Sequence, residues 1–204
     1  MDREAKEKMI QVCQGLIKML EMTFQGFRTL TQKSIEEAEA VKNEIRQYSS
    51  ELANFLISKS PSSEKGGEWK KPLLSMSSSF DRMSYNIEGI VNRLQDMVRE
   101  HILFSNRGVR EINDVFQEAM DLLESLPDLI LTQDKLLAQS IGKKGKFILK
   151  IAKGYSEEHE ERLFQGICTL QASPIYLGIL ESLKAIIVHT IEVSGKIASF
   201  SPKL

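Results

Sequence analysis

The feature that most constrains this chain is a run of apolar residues at alternating three- and four-residue steps: Leu73, Met76, Phe80, Met83, Ile87, Ile90, Leu94 and Met97. This spacing puts every member on one stripe of an α-helix, whereas a strand alternates its faces with period two. It predicts a single amphipathic helix of about 30 residues that packs lengthwise, at a shallow angle, against its neighbours. The same step recurs at Met9, Val12, Leu16, Met19, Thr23, Phe27 and Leu30, and again at Ala38, Val41, Ile45, Tyr48, Leu52 and Phe55. Downstream it runs through Ile112, Phe116, Ala119, Leu123 and Leu126, then through Ile148, Ile151, Tyr155, His159, Leu163, Gly166 or Ile167, and Leu170. It returns last at Tyr176, Ile179, Leu183, Ile186, Thr190, Val193, Ile197 and Phe200. No stretch alternates long enough for a strand, so the expected fold is all-α with six long helices.

Local signals divide the helices. Ser34, with Glu36 and Glu37 behind it, reads as the cap of the second helix. The stretch from Ser58 to Pro72, rich in Ser, Gly and Lys, reads as the one clear loop. Phe104-Ser105-Asn106 separates the third helix from the fourth, and Pro127 predicts a kink or a break. Ser173-Pro174 reads as a cap followed by proline at the first helical position. Six helices in this order group as two three-helix bundles, residues 1–104 (with loop 58–72) and residues 105–204. A weak internal repeat accompanies the grouping: Phe80-Asp81-Arg82-Met83 with Ile87 and Val91 parallels Leu180-Glu181-Ser182-Leu183 with Ile187 and Ile191.

Charge narrows the partners. Lys plus Arg number 27 against 28 Asp plus Glu, leaving a formal net charge of −1, so no bulk field draws nucleic acid or an anionic bilayer. The apolar stretch Ile175 to Ile197 is broken by Glu181, Lys184, His189 and Glu192, which argues against direct membrane insertion. The charged N-terminus predicts no targeting segment. Cys13 and Cys168 are expected to be buried free thiols in apolar helical surroundings, without polar neighbours, as in a reducing compartment.

Few residues carry chemistry. A carboxylate-bridged dimetal bundle needs Glu-x-x-His motifs, and none occurs. Gly142-Lys143-Lys144-Gly145-Lys146 lacks the spacing and preceding strand of a phosphate loop; it reads as a basic patch for phosphate or lipid headgroups, or as a solvated lysine cluster. His159 reads as a metal ligand beside Glu157 or Glu161, or as an interior histidine bonded to a facing polar group. Trp69 reads as a partner anchor or as a lid over the bundle. Catalysis would need His159, Glu157 and Tyr85 to share a pocket between the bundles. No convergent acid/base set is legible, so the chain is read as non-catalytic.

Taken with Glu39 to Ile45, Phe80 to Val91, Glu157 to Glu161 and Leu180 to Ile191, this organisation resembles the PhoU-like family, whose members are paired three-helix bundles of about this length. The resemblance implies a cytoplasmic regulator at the inner face of the membrane. It would restrain uptake of phosphate or a related ion through contact with a membrane phosphate transporter or a sensor kinase. Many members bind iron, zinc or other divalent clusters through acid-x-x-x-Asp motifs. Here Asp81 is followed one turn later by Tyr85 and Glu181 by Ala185, while Asn43 replaces an aspartate. Asp81, Glu157, Glu161 and Glu181 are then the remnant of that metal site. No cofactor is expected, at most a weakly bound divalent metal, because a multinuclear cluster needs several carboxylates to offset repulsion among its cations. Trp69, Lys143 and Lys144 are the expected partner-binding residues, and a homodimer would cover any apolar stripe that three helices leave open. The alternatives are an unrelated helical adaptor or dimerisation protein, and a metal-dependent enzyme with its site between the bundles.

Overall fold

The computed structural model describes residues 3–58 and 70–200. Among these, every regular element is a helix: α1 (Arg3–Thr29), α2 (Gln32–Ala40), α3 (Lys42–Ser58), α4 (Lys70–Arg99), α5 (Asn106–Thr132), α6 (Lys135–Phe164) and α7 (Ala172–Ser199). The fold is all-α. The predicted second helix is present as two, α2 and α3, with a turn at Val41 between them. Val41 itself keeps helical backbone angles (φ −68°, ψ −22°), so the rod is interrupted for one residue and continues. Trp69 and residues 59–69 of the expected loop lie outside the described residues.

The helix boundaries correct the sequence reading in several places. Thr31, not Ser34, caps α2, its hydroxyl accepting from Ser34 N at 3.4 Å. Ser105 caps α5, and Asp134 caps α6 through Leu136 N at 2.7 Å. Pro127 lies inside α5, which runs through it. The Gly-Lys run lies inside α6. Ser173 does not cap α7 but sits within its first turn, and the Ala172 N–H is taken by the Thr169 hydroxyl at 3.2 Å.

Four helices are followed by a left-handed residue: Leu30 (φ 46°), His101 (φ 54°), Gln133 (φ 54°) and Gly166 (φ 71°). One such residue turns the chain so that the next amide groups can bond the last carbonyls of the helix. Gln133 N donates to Leu129 O at 2.8 Å and Ile167 N to Arg162 O at 2.9 Å. Only Gly166 is free of the Cβ penalty at this conformation.

Within α1–α4 all helices touch one another, and α5, α6 and α7 likewise close a triangle of contacts. The two sets meet through matching members, α1 against α5 and α4 against α7, the last being the most extensive helix pair. The four central helices therefore form a ring, α1–α4–α7–α5, with α3 packed along the α1/α4 edge and α6 along the α5/α7 edge. One continuous apolar cluster, from Ala5 to Ile197, runs through both sets. Glycine permits part of this approach: a Cβ on Gly178 of α7 would fall 2.1 Å from Arg93 Nε of α4.

On length and composition α7 is apolar enough to cross a bilayer, its four polar interruptions notwithstanding, and half of its most apolar window is buried inside the protein. That apolarity matches its position, since α7 packs against α4, α5 and α6 at once.

Phe80 of α4 is wholly buried. Phe80→Ala should lower the unfolding free energy by about 3–5 kcal/mol. Because the core is shared, urea unfolding followed by far-UV circular dichroism should stay a single transition in parent and variant. Two separated transitions would show that the halves fold independently.

Candidate functional site

Among the described residues the buried acidic and basic side chains gather at one end, where α5 begins, α6 ends and α7 begins. Glu111 lies in the second turn of α5, Arg162 in the last turn of α6 and Tyr176 in the second turn of α7, and all three are buried. The Arg162 guanidinium grips the Glu111 carboxylate with two parallel bonds, from one terminal nitrogen to Oε1 at 3.0 Å and from the other to Oε2 at 2.6 Å. Tyr176 donates its hydroxyl to the same Oε2 at 2.6 Å, and Arg107 Nε, one turn earlier on α5, donates to Oε1 at 2.9 Å. Arg107 also pairs with Glu158. A buried carboxylate is tolerated because each oxygen is held by charged or strong donors.

Burial by itself would raise the Glu111 carboxyl above its ordinary 4.5, but the bonds from Arg162, Tyr176 and Arg107 together overcome it and hold the group lower. Burial and the adjacent carboxylate push the Tyr176 hydroxyl far up, so it serves only as a donor. Glu111 has no free lone-pair direction left to act as a base or to bind a metal. It is an anchor that locks three helices together.

His159 of α6 extends this cluster. Its ring stacks on Tyr176, with centroids 4.1 Å apart and planes 15° from parallel. Burial, reinforced by the charge on Arg162, lowers its pKa from 6.5 and keeps it neutral at pH 7. Nε2 lies 3.0 Å from the Ser173 hydroxyl, and that hydroxyl donates to Thr169 O at 3.0 Å. Having spent its proton there, Ser173 accepts from Nε2–H. The tautomer follows: Nδ1 is left with a lone pair. That lone pair faces Cys168, whose sulfur is 3.9 Å away.

Contrary to the expectation of a buried thiol in helical surroundings, Cys168 lies in the connection from α6 to α7. After Gly166 the chain folds back, and both Ile167 N and Cys168 N donate to Arg162 O, at 2.9 and 3.3 Å. The thiol is partly exposed and has polar neighbours, whereas Cys13 is fully enclosed in apolar surroundings and burial pushes its thiol up. Burial works against the charge of Arg162, yet Glu111 and the Cys168 sulfur more than offset it and raise its pKa. Arg162 Nε–H nevertheless has no well-directed acceptor.

This end also exposes apolar side chains. Leu103, Phe164, Ile167 and Leu170 are all exposed there, Phe164 to 90%. They share one end of the molecule, because Phe104 packs on both Phe27 near the end of α1 and Tyr176 near the start of α7.

The residues expected to bind metal are scattered and mostly engaged. Asp81 lies exposed in a groove between α3 and α4, with Arg46, Ser49 and Tyr85. Glu181 lies in the next groove, between α4 and α7, and pairs with Lys184 at 2.6 Å. On α6, Glu157 pairs with Lys153 at 3.2 Å, and Glu161 accepts from Gln165 at 2.7 Å. Among the described residues no three His, Cys, Asp or Glu side chains are grouped to hold a metal ion. The donor set does not fit a cluster. Of the two readings of His159, the interior histidine is the one found. Tyr85 is 75% exposed on α4, so His159, Glu157 and Tyr85 form no common pocket. Lys144 is held by Glu118 at 2.8 Å and Asp121 at 3.0 Å, and Lys143 is exposed on the same helix.

Comparison with models of known protein families, with curated proteins and with solved structures found no match to this chain.

Two tests follow from the anchor. Tyr176→Phe removes one hydrogen bond to a buried charge and should cost about 1.5–3 kcal/mol in urea unfolding. Glu111 is held below its ordinary pKa when folded, so its contribution is complete above about pH 4.5 and is lost as pH falls through the folded value. Glu111→Gln should therefore be less stable than the parent at pH 7, by about 3–5 kcal/mol, with the gap closing in acid. A gap independent of pH would contradict the ionised anchor.

Proposed function

We propose that this chain is a PhoU-like, non-catalytic regulator of phosphate or related ion transport, acting by contact with a membrane transporter or sensor kinase from the cytoplasmic face. The observation that carries this reading is the correspondence of the two halves. The set α1–α4 and the set α5–α7 each close on themselves, and they meet through members at matching places in the chain order, α1 with α5 and α4 with α7. A duplicated three-helix unit would pack in this way, as the resemblance implies. Asp81, Glu157, Glu161 and Glu181 make at most a weak divalent site on this reading.

The exposed end formed by Leu103, Phe164, Ile167 and Leu170 is the natural docking surface. Apolar side chains at this exposure lose water only when a partner covers them. They replace Lys144 as the principal contact, since Lys144 is already committed to two carboxylates. The alternative of a dimerising module has the same surface in its favour, with a second copy as the cover.

Phosphate uptake separates these readings. Deleting the gene should raise uptake in phosphate-rich medium, and the parent chain should restore restraint. The double variant Phe164→Ser, Leu170→Ser should fail to restore it while changing stability by no more than about 0.5 kcal/mol. Unchanged uptake on deletion would overturn the regulatory reading. A dimer in size-exclusion chromatography that the double variant dissolves would favour the dimerisation module.

A further inference from the structure

Four groups around the α6–α7 connection have a geometry that the anchoring role does not use. Cys168 Sγ faces His159 Nδ1 at 3.9 Å, and His159 Nε2 is fixed by Ser173 at 3.0 Å. This is the order of nucleophile, base and orienting group found where a side chain is made reactive. Independently, Arg162 is more than nine-tenths buried, its terminal nitrogens are taken by Glu111, and its Nε–H has no well-directed acceptor. The Cys168 sulfur, after Glu111 and ahead of Tyr176, favours its charge. A buried donor without an acceptor carries a desolvation cost, which negative charge or a new oxygen on sulfur would relieve.

We propose that Cys168 is a hydroperoxide-reactive thiol, with His159 Nδ1 as its base and Arg162 Nε–H as the donor that steadies the product. The thiol proton passes to His159 Nδ1 as sulfur attacks the peroxide. An S–O bond forms and the O–O bond breaks. Sulfur is oxidised by two electrons to sulfenic acid, the peroxide is reduced, and the departing oxygen takes the proton from His159 to leave as water or an alcohol. Access is through the partly exposed connection, flanked by the exposed Ile167 and Leu170. Oxidation would thus alter the chain next to the apolar end. The reaction itself stands apart from the regulatory reading.

The test treats the full chain with hydrogen peroxide in the presence of a 1,3-dione that traps sulfenic acid, and reads each cysteine by peptide mass spectrometry. Cys168 should be labelled and Cys13 spared. In the native protein Cys168 should react roughly tenfold or more faster than in the same chain unfolded in urea. His159→Gln keeps an amide nitrogen to donate to Ser173 and removes the base, and should bring the native rate down to the unfolded one. Native Cys168 reacting no faster than the unfolded chain would overturn the proposal. So would a folded His159→Gln variant reacting at the parent rate. Should that variant not fold, the comparison of native with unfolded parent decides alone.

Discussion

The architecture rests on the width of the apolar face of α7. Buried residues on this helix come in adjacent pairs, Ile179 with Leu180 and Ile186 with Ile187, around Tyr176, Leu183, Thr190, Val193 and Ile197. Adjacent positions are about 100° apart around a helix, so such a face is too broad for one seam and demands cover from more than one side. Within its own triangle α7 is covered by α5 and α6. The remaining side is met by α4, whose stripe through Met76, Phe80, Met83, Ile87 and Ile90 is equally enclosed. The sets α1–α4 and α5–α7 therefore close on one another, and a single core follows.

That closure gives the polar cluster its meaning. A bundle held only by apolar stripes can slide or rotate with little loss, because the contacts are non-directional. Glu111, held from α5, α6 and α7 at fixed angles, supplies direction at the end where three chain reversals crowd together. Replacing a buried ion pair by well-packed apolar groups is often neutral in energy, so the contribution of the pair here is alignment. The alignment sets His159 flat on Tyr176 and aims its Nδ1 outward, and the fold-back after Gly166 places Cys168 against it. Structural anchor and reactive group thus share one frame.

The helices were legible in the sequence because an amphipathic rod writes its own period into the chain. Their ends were less so. Leu30, His101 and Gln133 adopt left-handed backbone without being glycine, and Ser34 and Ser173 look like caps while the hydroxyls used belong to Thr31 and Thr169. Hydroxyl residues within a few positions compete for the same amide groups, and only the local path decides among them. The carboxylates singled out by resemblance proved dispersed, whereas Glu111, at an apolar position of α5, carried no local signal. An acid between Arg110 and Ile112 is as easily read as a solvated one until its partners are known.

By itself the sequence determined that the rods are helical, the order of the long ones and which face of each is apolar, since these depend on residues a few positions apart. Tertiary structure alone decided that the two halves share one core, that Arg162 and Tyr176 converge on Glu111, and that Cys168 has a base beside it. Those outcomes depend on side chains 51 and 65 residues apart from Glu111 being brought within hydrogen-bonding distance. Periodicity reports the direction in which a side chain leaves its own helix. It carries no information on what waits there, because that is set by how many apolar faces must be covered at once.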